Sequence, residues 1–412
     1  MSDVSAARAN TGAGAFASRW APTATMWLVS LVSYIDRNTL ALLAPAILRE
    51  TGLSGEQYGF IISGFSIAYT IGNPVWGRIL DRVGLRRGMA AAVSIWTVAS
   101  AAHALAGGFA GFAAARAALG FGEGATFPGG LRTVTQTLAP RSRGRGIAVA
   151  YSGGSLGAIV TPLIVTPVFL AWGWRGAFIF TGIAGLAWLA VWGWISRRPD
   201  VRRLPGPEEA AGGQSAPHLA DPRLWAFMWA YALGALPIGF VLYGAALYLA
   251  RALGQSQAAI GAVLWIPPVG WEAGYFVWGW LADRGVPLGT RMRTAALLAL
   301  PLGALPFVHG LAPFMAGLFV VMFGASGFIV LSMAYAVRVF SSAHAGLIAG
   351  IGAGAWSAAV ALFMPVLGRL FDLHRYSTAF LLTAAFPLAG YLGWHWLDRP
   401  RPVPRAAAPL IS

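Results

Sequence analysis

The sequence contains no cysteine and no lysine, and only 10% of its residues are charged. Without cysteine, disulfide bonds and thiol-based metal or redox chemistry are excluded. Soluble domains carry about 25% charged residues, so this chain of 412 residues lacks the polar surface that a water-exposed fold requires. Hydrophobic residues make up 57% of the chain. The composition therefore excludes a soluble enzyme and predicts an integral membrane protein.

All 29 basic residues are arginine, and the formal net charge is +15. The arginines separate apolar runs and do not form one surface with interleaved aromatic residues, so the pattern indicates membrane topology and not nucleic-acid binding. The sequence contains no phosphate-binding Gly-Lys-Ser/Thr loop and no His/carboxylate cluster with metal-ligand spacing. We therefore expect no enzyme activity, no cofactor and no metal site.

Twelve apolar runs are each long enough to cross a bilayer as a helix, which takes roughly 20 residues. We number them spans 1 to 12, with predicted limits at 22–48, 57–80, 87–107, 109–138, 145–170, 174–196, 222–250, 257–281, 292–310, 312–338, 343–370 and 376–397. Residues 197–221 are rich in Arg, Pro and Gly and lack apolar periodicity, which predicts a linker. The fold prediction is an all-α membrane protein with two pseudo-symmetric six-helix bundles.

Domain limits and orientation follow from these runs. The predicted parts are an N-terminal tail (1–21), a first bundle (22–198), a linker (199–221), a second bundle (222–398) and a C-terminal tail (399–412). Alternate loops place 20 arginines on one side of the membrane and 5 on the other. The positive-inside rule then places both tails and the linker in the cytoplasm of a multi-pass protein.

The two halves contain a repeated segment. Residues 75–82 read VWGRILDR and residues 277–284 read VWGWLADR, so five of eight residues are identical at an offset of 202. The same offset aligns the Phe-Gly pair at 121–122 with the Phe-Gly pair at 323–324. Because one offset relates two separate pairs of spans, the halves are predicted to be a parallel duplication.

The loop between spans 2 and 3 carries a family signature. Residues 77–87 read GRILDRVGLRR, which resembles the loop of the major facilitator superfamily, where Gly, Asp-Arg, Gly and two basic residues recur. The resemblance covers essentially the whole chain. It implies a central cavity lined by spans 1, 4, 7 and 10, and cytoplasmic gate loops that hold one conformation shut. The implied gate-loop residues are Gly77, Asp81, Arg82, Gly84, Arg86, Arg87, Gly279, Asp283 and Arg284.

Three further segments narrow the resemblance. Residues 34–38 read YIDRN, residues 116–128 read RAALGFGEGATFP, and residues 173–175 read GWR. Together they resemble the anion:cation symporter family, which includes bacterial hexuronate and aldonate transporters and the animal phosphate, sialic acid and glutamate carriers. This resemblance implies a monomer in a bacterial inner membrane that imports a small organic anion with protons.

Four charged residues lie within predicted spans 1 and 4, namely Asp36, Arg37, Arg116 and Glu123. A charge at a helix centre costs about 2.5–3.5 kcal/mol on insertion scales. Arg116 and Glu123 are two helical turns apart and share a face, whereas Asp36 and Arg37 point about 100° apart and each need a separate partner. The four groups form either a network that only fixes packing or part of a transport path. Because buried ion pairs add little stability, the second interpretation is favoured.

The chemistry of these side chains suggests a division of roles. An arginine presents a planar fork that matches a carboxylate, and a carboxylate in a cavity can carry a proton. We therefore expect Arg37 and Arg116 to bind the substrate, Glu123 and Asp36 to couple protons, and Asp36 to pair with Arg116 as a gate. The resemblance implies the same assignment. Candidate aromatic residues of the cavity are Tyr34, Tyr69, Tyr243, Trp265 and Trp356.

The second half differs chemically from the first. At the offset of 202, Asp36 aligns with Ile238 and Glu123 with Ala325, so coupling chemistry is predicted to lie in the first half. Glu272 in span 8 is the exception, and it is either a second titratable site in the cavity or the partner of a nearby arginine. Span 11 lacks the asparagines usual in sugar-acid relatives, which favours a smaller or more apolar carboxylate.

Two alternative functions remain open at this point. The first is an exporter or drug/proton antiporter of the same superfamily, against which residues 152–155 (SGGS) weigh because such relatives carry Gly-Pro with paired glycines in span 5. The second is a membrane receptor that binds the anion without transporting it. The sequence contains no segment that resembles a signalling domain.

Overall fold

The computed structural model describes residues 2–202, 217–282, 284, 286–340 and 345–398. These residues form helices joined by short turns, and none of them is in a strand. The helices are α1 (Ser2–Thr51), α2 (Gly55–Ala102), α3 (Phe109–Glu123), α4 (Thr126–Thr137), α5 (Pro140–Ile195), α6 (Pro199–Arg202), α7 (Pro222–Gly234), α8 (Leu236–Arg251), α9 (Gln257–Val263), α10 (Ile266–Ala282), α11 (Leu288–Ala299), α12 (Leu311–Phe340), α13 (Ala345–Asp372) and α14 (Tyr376–Leu397). Short 3-10 segments occupy His103–Leu105 and Leu300–Phe307.

These helices form the twelve predicted spans. With 48 and 56 residues, α2 and α5 are each far longer than one bilayer crossing, which takes about 20 residues. Each of them contains two spans that meet at a glycine with positive φ, Gly84 (φ 81°) and Gly173 (φ 68°), a backbone conformation that glycine adopts without strain. Spans 4, 7, 8 and 9 each comprise two consecutive segments, and spans 1, 10, 11 and 12 are each one helix.

The duplication is visible in matching contacts. The indole N–H of Trp76 donates to the carbonyl of Phe121 at 2.8 Å, and that of Trp278 donates to the carbonyl of Phe323 at 2.8 Å. The ring centroids in the two pairs are 5.7 and 5.8 Å apart. Both pairs obey the offset of 202, so the two bundles repeat the same packing of their second and fourth spans.

The two bundles are in backbone contact along α2 and α13. We call the membrane face that holds Arg19 and Asp398 the terminal face, and the opposite one the far face. A Cβ atom on Gly59 would lie 2.4 Å from the carbonyl oxygen of Met364, and one on Gly368 would lie 2.0 Å from that of Gly55. Only glycine fits these positions, so the halves are closed against each other near the far face.

A carboxylate of the second half caps a helix of the first half at this face. The backbone N–H groups of Gly55 and Glu56 donate to Asp372 at 2.7 and 2.9 Å, and Arg251 pairs with the same carboxylate at 3.0 Å. Negative charge is stabilising at a helix N-terminus, where backbone N–H groups have no helical acceptor. We call this arrangement, formed by Asp372, Arg251 and the start of α2, the far-face cap.

Two hydroxyl groups join the halves below the far-face cap. The Tyr58 hydroxyl donates to the carbonyl of Tyr243 at 2.9 Å, and the Ser63 hydroxyl donates to that of Ala361 at 2.6 Å. Both donors lie on α2, and both acceptors belong to the second half. The hydrogen bonds therefore extend the closed contact from the far face toward the middle of the membrane.

The predicted Gly-Trp-Arg segment anchors the end of span 1 within the first half. The Trp174 indole N–H donates to Glu50 at 2.7 Å, and Arg175 forms an ion pair with the same carboxylate. The Arg175 guanidinium also lies 4.0 Å from the Trp174 ring centroid. This segment thus ties spans 1 and 6 together at the far face.

Candidate functional site

An ion pair between spans 1 and 4 lies at the centre of the first half. Arg37 on α1 donates to Oε2 of Glu123 on α3 from Nη2 at 2.8 Å and from Nε at 3.3 Å. The side chains are only 3% and 0% exposed, respectively. Both charges are thus withdrawn from solvent, and each supplies the partner that the other requires.

Three aromatic rings surround the Arg37 guanidinium. Its Cζ atom lies 4.6 Å from the ring centroid of Tyr34, 4.7 Å from that of Phe65 and 4.8 Å from that of Tyr69. A desolvated cation–π contact contributes about 2 kcal/mol or less, so the rings fix the guanidinium without neutralising it. Sequence reasoning missed Phe65, although its spacing of one turn from Tyr69 places both on one face of α2.

Arg116 approaches the same pair from the far-face side. Its Nη2 donates to the backbone carbonyl of Arg37 at 2.8 Å, and the side chain is fully buried. Among the described residues, no hydrogen-bond partner contacts Nε or Nη1 of Arg116, or Oε1 of Glu123. Buried polar atoms normally have partners, so these two donors and this acceptor are available to a ligand and a proton.

Asp36 does not form the predicted gate with Arg116. Its Oδ1 accepts a hydrogen bond from Ser100 at 2.7 Å, and the Ser100 hydroxyl also contacts Thr181 at 2.7 Å. None of the ion pairs among the described residues includes Asp36. The predicted pairing is wrong for this structure, because the 100° step from Arg37 turns Asp36 toward spans 3 and 6 inside the first bundle.

The second half contributes an aromatic wall. Tyr243 is 1% exposed and lies near both Arg37 and Arg116. The Trp271 ring, from span 8, lies 5.9 Å from that of Tyr34 between centroids. Trp356 is partly buried on α13, and its indole N–H donates to Ala235 at 2.9 Å. The wall is thus apolar apart from the Tyr243 hydroxyl and the indole N–H of Trp271.

Trp265 stands apart from this wall. Its side chain is 36% exposed, and its indole N–H donates to the carbonyl of Ala262 in the same span at 2.9 Å. None of the aromatic or cation–π contacts described for residues 19–398 involves it. The cavity role of Trp265 therefore stays a prediction.

Glu272 has a neutral partner from the other half. The hydroxyl of Ser155 on α5 donates to its carboxylate, and no arginine forms an ion pair with it among the described residues. Of the two interpretations left open for Glu272, the arginine pair is not present in this structure. The carboxylate instead bridges spans 5 and 8.

The first gate loop pairs within its own half. Asp81 forms an ion pair with Arg132 of α4 at 2.9 Å, and Gly77 lies near Pro128. In the second loop, the Arg284 guanidinium lies 3.6 Å from the Trp280 ring centroid. Arg82, Arg86 and Arg87 are exposed, and Gly84 forms the turn. Gly279 is half-buried within α10, and Asp283 lies outside the described residues. The loop carboxylate thus does not join the two halves here.

Comparison with known proteins identifies the family of this chain. The sequence family described as the Major Facilitator Superfamily matches residues 26–305 and 238–412. The chain belongs to the Major Facilitator Superfamily. It is also similar in fold to a bacterial homologue of the human lysosomal transporter Spinster in its inward-facing, unoccupied conformation, with a TM-score of 0.77, 16% identity, and coverage of 94% of this chain and 99% of that one. The match confirms the twelve-helix fold that the sequence predicts.

Curated relatives of this superfamily member are transporters. The hexuronate transporter of Escherichia coli (strain K12) is 28% identical over 409 residues, which cover 91% of this chain and 92% of the relative. The galacturonate transporter of Dickeya chrysanthemi is 31% identical over 49% of this chain and 59% of the relative. A probable sulfoacetate transporter of Cupriavidus necator is 32% identical over 42% of this chain and 41% of the relative. These relatives agree with the expectation that the chain is a multi-pass membrane transporter and not an enzyme.

Proposed function

We propose that this protein imports an organic carboxylate together with protons by alternating access. The observation that carries the proposal is the buried Arg37–Glu123 ion pair beside the two unpartnered donors of Arg116. A substrate carboxylate and Glu123 compete for the same guanidinium. When Glu123 accepts a proton it releases Arg37, which can then bind the anionic substrate, so proton and substrate are bound together.

Asp36 is a second candidate for proton coupling. It is 1% exposed, and its Oδ2 has no hydrogen-bond partner among the described residues. It adjoins Arg37 in the sequence, so a change in its charge acts on the same part of α1. Its contact with Ser100 in span 3 gives it a role inside the first bundle, away from the substrate itself.

The named relatives support the anionic substrate. Hexuronate, galacturonate and sulfoacetate are all organic anions at neutral pH. An inside-negative potential opposes anion entry by about 2.3 kcal/mol per charge per 100 mV, so import requires more protons than substrate charges. With both termini in the cytoplasm of a bacterial inner membrane, as the arginine distribution indicates, the terminal face is the inner one.

The second half limits the range of substrates. Between residues 222 and 398 the sequence has no asparagine, and its two glutamines, Gln255 and Gln257, lie by the far-face loop. Sugar-acid hydroxyls bind best to side-chain amides and other polar groups, and a half without such amides offers hydroxyl-rich ligands few hydrogen bonds. We propose a carboxylate with few hydroxyl groups, such as lactate or benzoate, over a hexuronate.

Uptake into proteoliposomes tests both the proton coupling and the proposed substrate range. A pH gradient, acidic outside, is imposed on vesicles that contain the purified protein, and uptake of lactate, benzoate, galacturonate and gluconate is compared. We expect accumulation above equilibrium that a protonophore abolishes, with lactate or benzoate preferred over the sugar acids. Galacturonate preference contradicts the substrate range, whereas absence of gradient-driven uptake for all four carboxylates contradicts the proposed function.

The far-face cap provides a test of alternating access. Replacing Asp372 with alanine removes two backbone hydrogen bonds and the Arg251 pair, which together contribute about 1 kcal/mol or more to closure. Because the sequence has no cysteine, Ser63→Cys gives one reporter thiol between α2 and α13. We expect Asp372→Ala to increase labelling of this thiol by a far-side reagent about fivefold or more.

A matched control is available at the terminal face. Asp221 caps the N-terminus of α7 through the N–H of Arg223 at 2.9 Å and pairs with the Arg223 side chain, so it repeats the chemistry of the cap within one half. Asp221→Ala should leave thiol labelling unchanged. Equal labelling in Asp372→Ala and the parent would show that the cap does not hold the far face closed.

A further inference from the structure

Glu272 is a membrane-embedded carboxylate that the Arg37–Glu123 site does not use. Between residues 222 and 371, the sequence has only two acidic residues, Glu272 and Asp283. Glu272 lies near the middle of span 8 and is only partly exposed. A charged carboxylate at that depth is costly, so retaining it without a cationic partner requires a reason other than packing.

The only hydrogen bond to Glu272 among the described residues crosses between the halves. The donor is the hydroxyl of Ser155 on α5, a neutral group that can either donate to a carboxylate or accept from a protonated carboxyl. An arginine in the place of Ser155 would stabilise the charged form of the Glu272 carboxylate. A hydroxyl partner instead fits both protonation states, which is the property of a group that binds and releases protons.

Each partner is fixed to its own bundle. On α5, a Cβ on Gly153 would lie 2.3 Å from the carbonyl of Trp27, so spans 5 and 1 are in backbone contact. On α10, a Cβ on Gly274 would lie 2.8 Å from the carbonyl of Phe323, so spans 8 and 10 are equally close. The bond between Ser155 and Glu272 therefore joins the two bundles, and a movement that separates spans 5 and 8 would break it.

The surroundings of Glu272 connect it to the candidate substrate site. The preceding residue, Trp271, contacts the ring of Tyr34, which in turn lies over Arg37. Tyr275 lies one turn along α10 from Glu272. The titratable groups near this carboxylate are thus tyrosines, α5 contributes the Ser155 hydroxyl, and no ion pair reaches it within the described part of the chain.

The duplication supplies an internal comparison. At the offset of 202, Glu272 aligns with Thr70 on α2, and Ser155 aligns with Ser357 on α13. Thr70 donates to the carbonyl of Ser66 in its own helix at 2.8 Å and approaches Gly354 of α13 at 3.5 Å. One interface between the halves therefore has a neutral hydroxyl where the other has a carboxylate, so closure of such an interface does not require an acid.

We propose that Glu272 is a second proton-binding site, whose protonation between spans 5 and 8 accompanies the movement of the two halves. The inference rests on the proposed proton-coupled transport and adds one proton to each cycle. The proton enters on a carboxylate oxygen of Glu272 when the halves separate at spans 5 and 8. It leaves when the halves close there again.

The proton-to-substrate ratio of Glu272→Gln tests this site. With voltage held at zero by valinomycin and equal potassium, each coupled proton raises steady-state accumulation about tenfold per pH unit of gradient. The probe is the member of the lactate, benzoate, galacturonate and gluconate panel with the highest uptake. We expect accumulation by Glu272→Gln to fall about tenfold per pH unit relative to wild type. An unchanged ratio in the variant overturns the inference.

Two variants distinguish a proton site from a structural contact. Ser155→Ala removes the hydrogen bond but keeps the carboxylate, so the ratio should match wild type. Glu272→Thr reproduces the neutral residue of the equivalent interface, at Thr70, and should show the same reduced ratio as Glu272→Gln. A reduced ratio in Ser155→Ala equal to that of Glu272→Gln would assign the effect to the contact and overturn the proton site.

A measurement without transport separates this inference from the proposed function. On acidification, infrared difference spectra of the purified protein should contain a carbonyl band of a protonated carboxyl group that Glu272→Gln removes. A spectrum that the substitution leaves unchanged overturns the site even if transport is coupled to protons. Absence of pH-driven uptake in wild type contradicts the proposed function instead. In that case, the infrared spectrum alone shows whether Glu272 binds a proton.

Discussion

Glu123→Gln is expected to remove one coupled proton from accumulation driven by a pH gradient while leaving exchange of labelled for unlabelled substrate intact. Glutamine has nearly the shape of glutamate and still accepts a hydrogen bond from Arg37, but it cannot bind a proton. The variant therefore resembles the protonated form permanently. Arg37 no longer faces a negative charge at this position and is available to the substrate. Accumulation should fall about tenfold per pH unit of gradient relative to wild type, while counterflow stays within about threefold of wild type.

Glu56→Gln is the matched control for this variant. Glu56 lies in the first turn of α2, partly exposed, and its backbone N–H rather than its side chain takes part in the far-face cap. The substitution removes a carboxylate without touching the Arg37 pair, so accumulation should equal that of wild type. Accumulation equal to wild type in Glu123→Gln would remove Glu123 from the coupling mechanism and assign its proton to another carboxylate.

Loss of the Arg37 guanidinium should have an equally large effect on binding. Arg37→Ala alone would leave Glu123 as a buried charge without a partner, at a cost of about 3–5 kcal/mol in stability. The double variant Arg37→Ala/Glu123→Gln avoids this cost because both charges are removed together. We expect its affinity for the preferred carboxylate to fall about 100-fold, since a hydrogen bond to a charged group contributes about 1.5–3 kcal/mol.

Equilibrium binding to the detergent-purified protein provides the measurement, and Arg37→Lys provides the control. Lysine keeps the positive charge but loses the planar fork and its stacking against Tyr34, Phe65 and Tyr69. Its affinity should lie between those of wild type and the double variant. Wild-type affinity in Arg37→Ala/Glu123→Gln would show that the substrate binds elsewhere, with Arg116 as the next candidate.

The membrane helices were predictable because the bilayer imposes a length and a polarity on each of them. Spans 2 and 3 were separable in the sequence at the charged turn around Gly84, although the backbone remains helical almost throughout α2. The duplication was predictable for the same reason: identical residues at one offset form identical contacts, as the Trp76 and Trp278 indoles demonstrate.

The side-chain pairing within the site was predictable only in part. The cost of burying charge required a partner on another helix for Arg37, and Glu123 is such a partner. The partner of Asp36 was not predictable, because hydroxyls in membrane helices mostly bond to their own backbone and carry no sequence signal for a distant acceptor. Ser100 thus satisfies Asp36, and the expected pairing with Arg116 is replaced.

The far-face cap was not foreseen. Asp372 follows span 11 and looks like any loop acid in the sequence, and the groups it binds are backbone N–H donors, which every residue except proline has. The available signal was indirect: Gly55 leaves the start of α2 open to close approach, and Arg251 is one of few far-side arginines. Packing of the halves, which the sequence does not encode locally, brings these groups together.

The four buried charges inside the first bundle sum to zero, since two carboxylates, Asp36 and Glu123, accompany two guanidiniums, Arg37 and Arg116. An empty first bundle that reorients therefore moves no net charge through the electric field of the membrane. The membrane potential then acts through these four groups only when substrate and protons are bound, and not when the empty first bundle reorients. Their contribution to the rate of the return step is therefore independent of voltage.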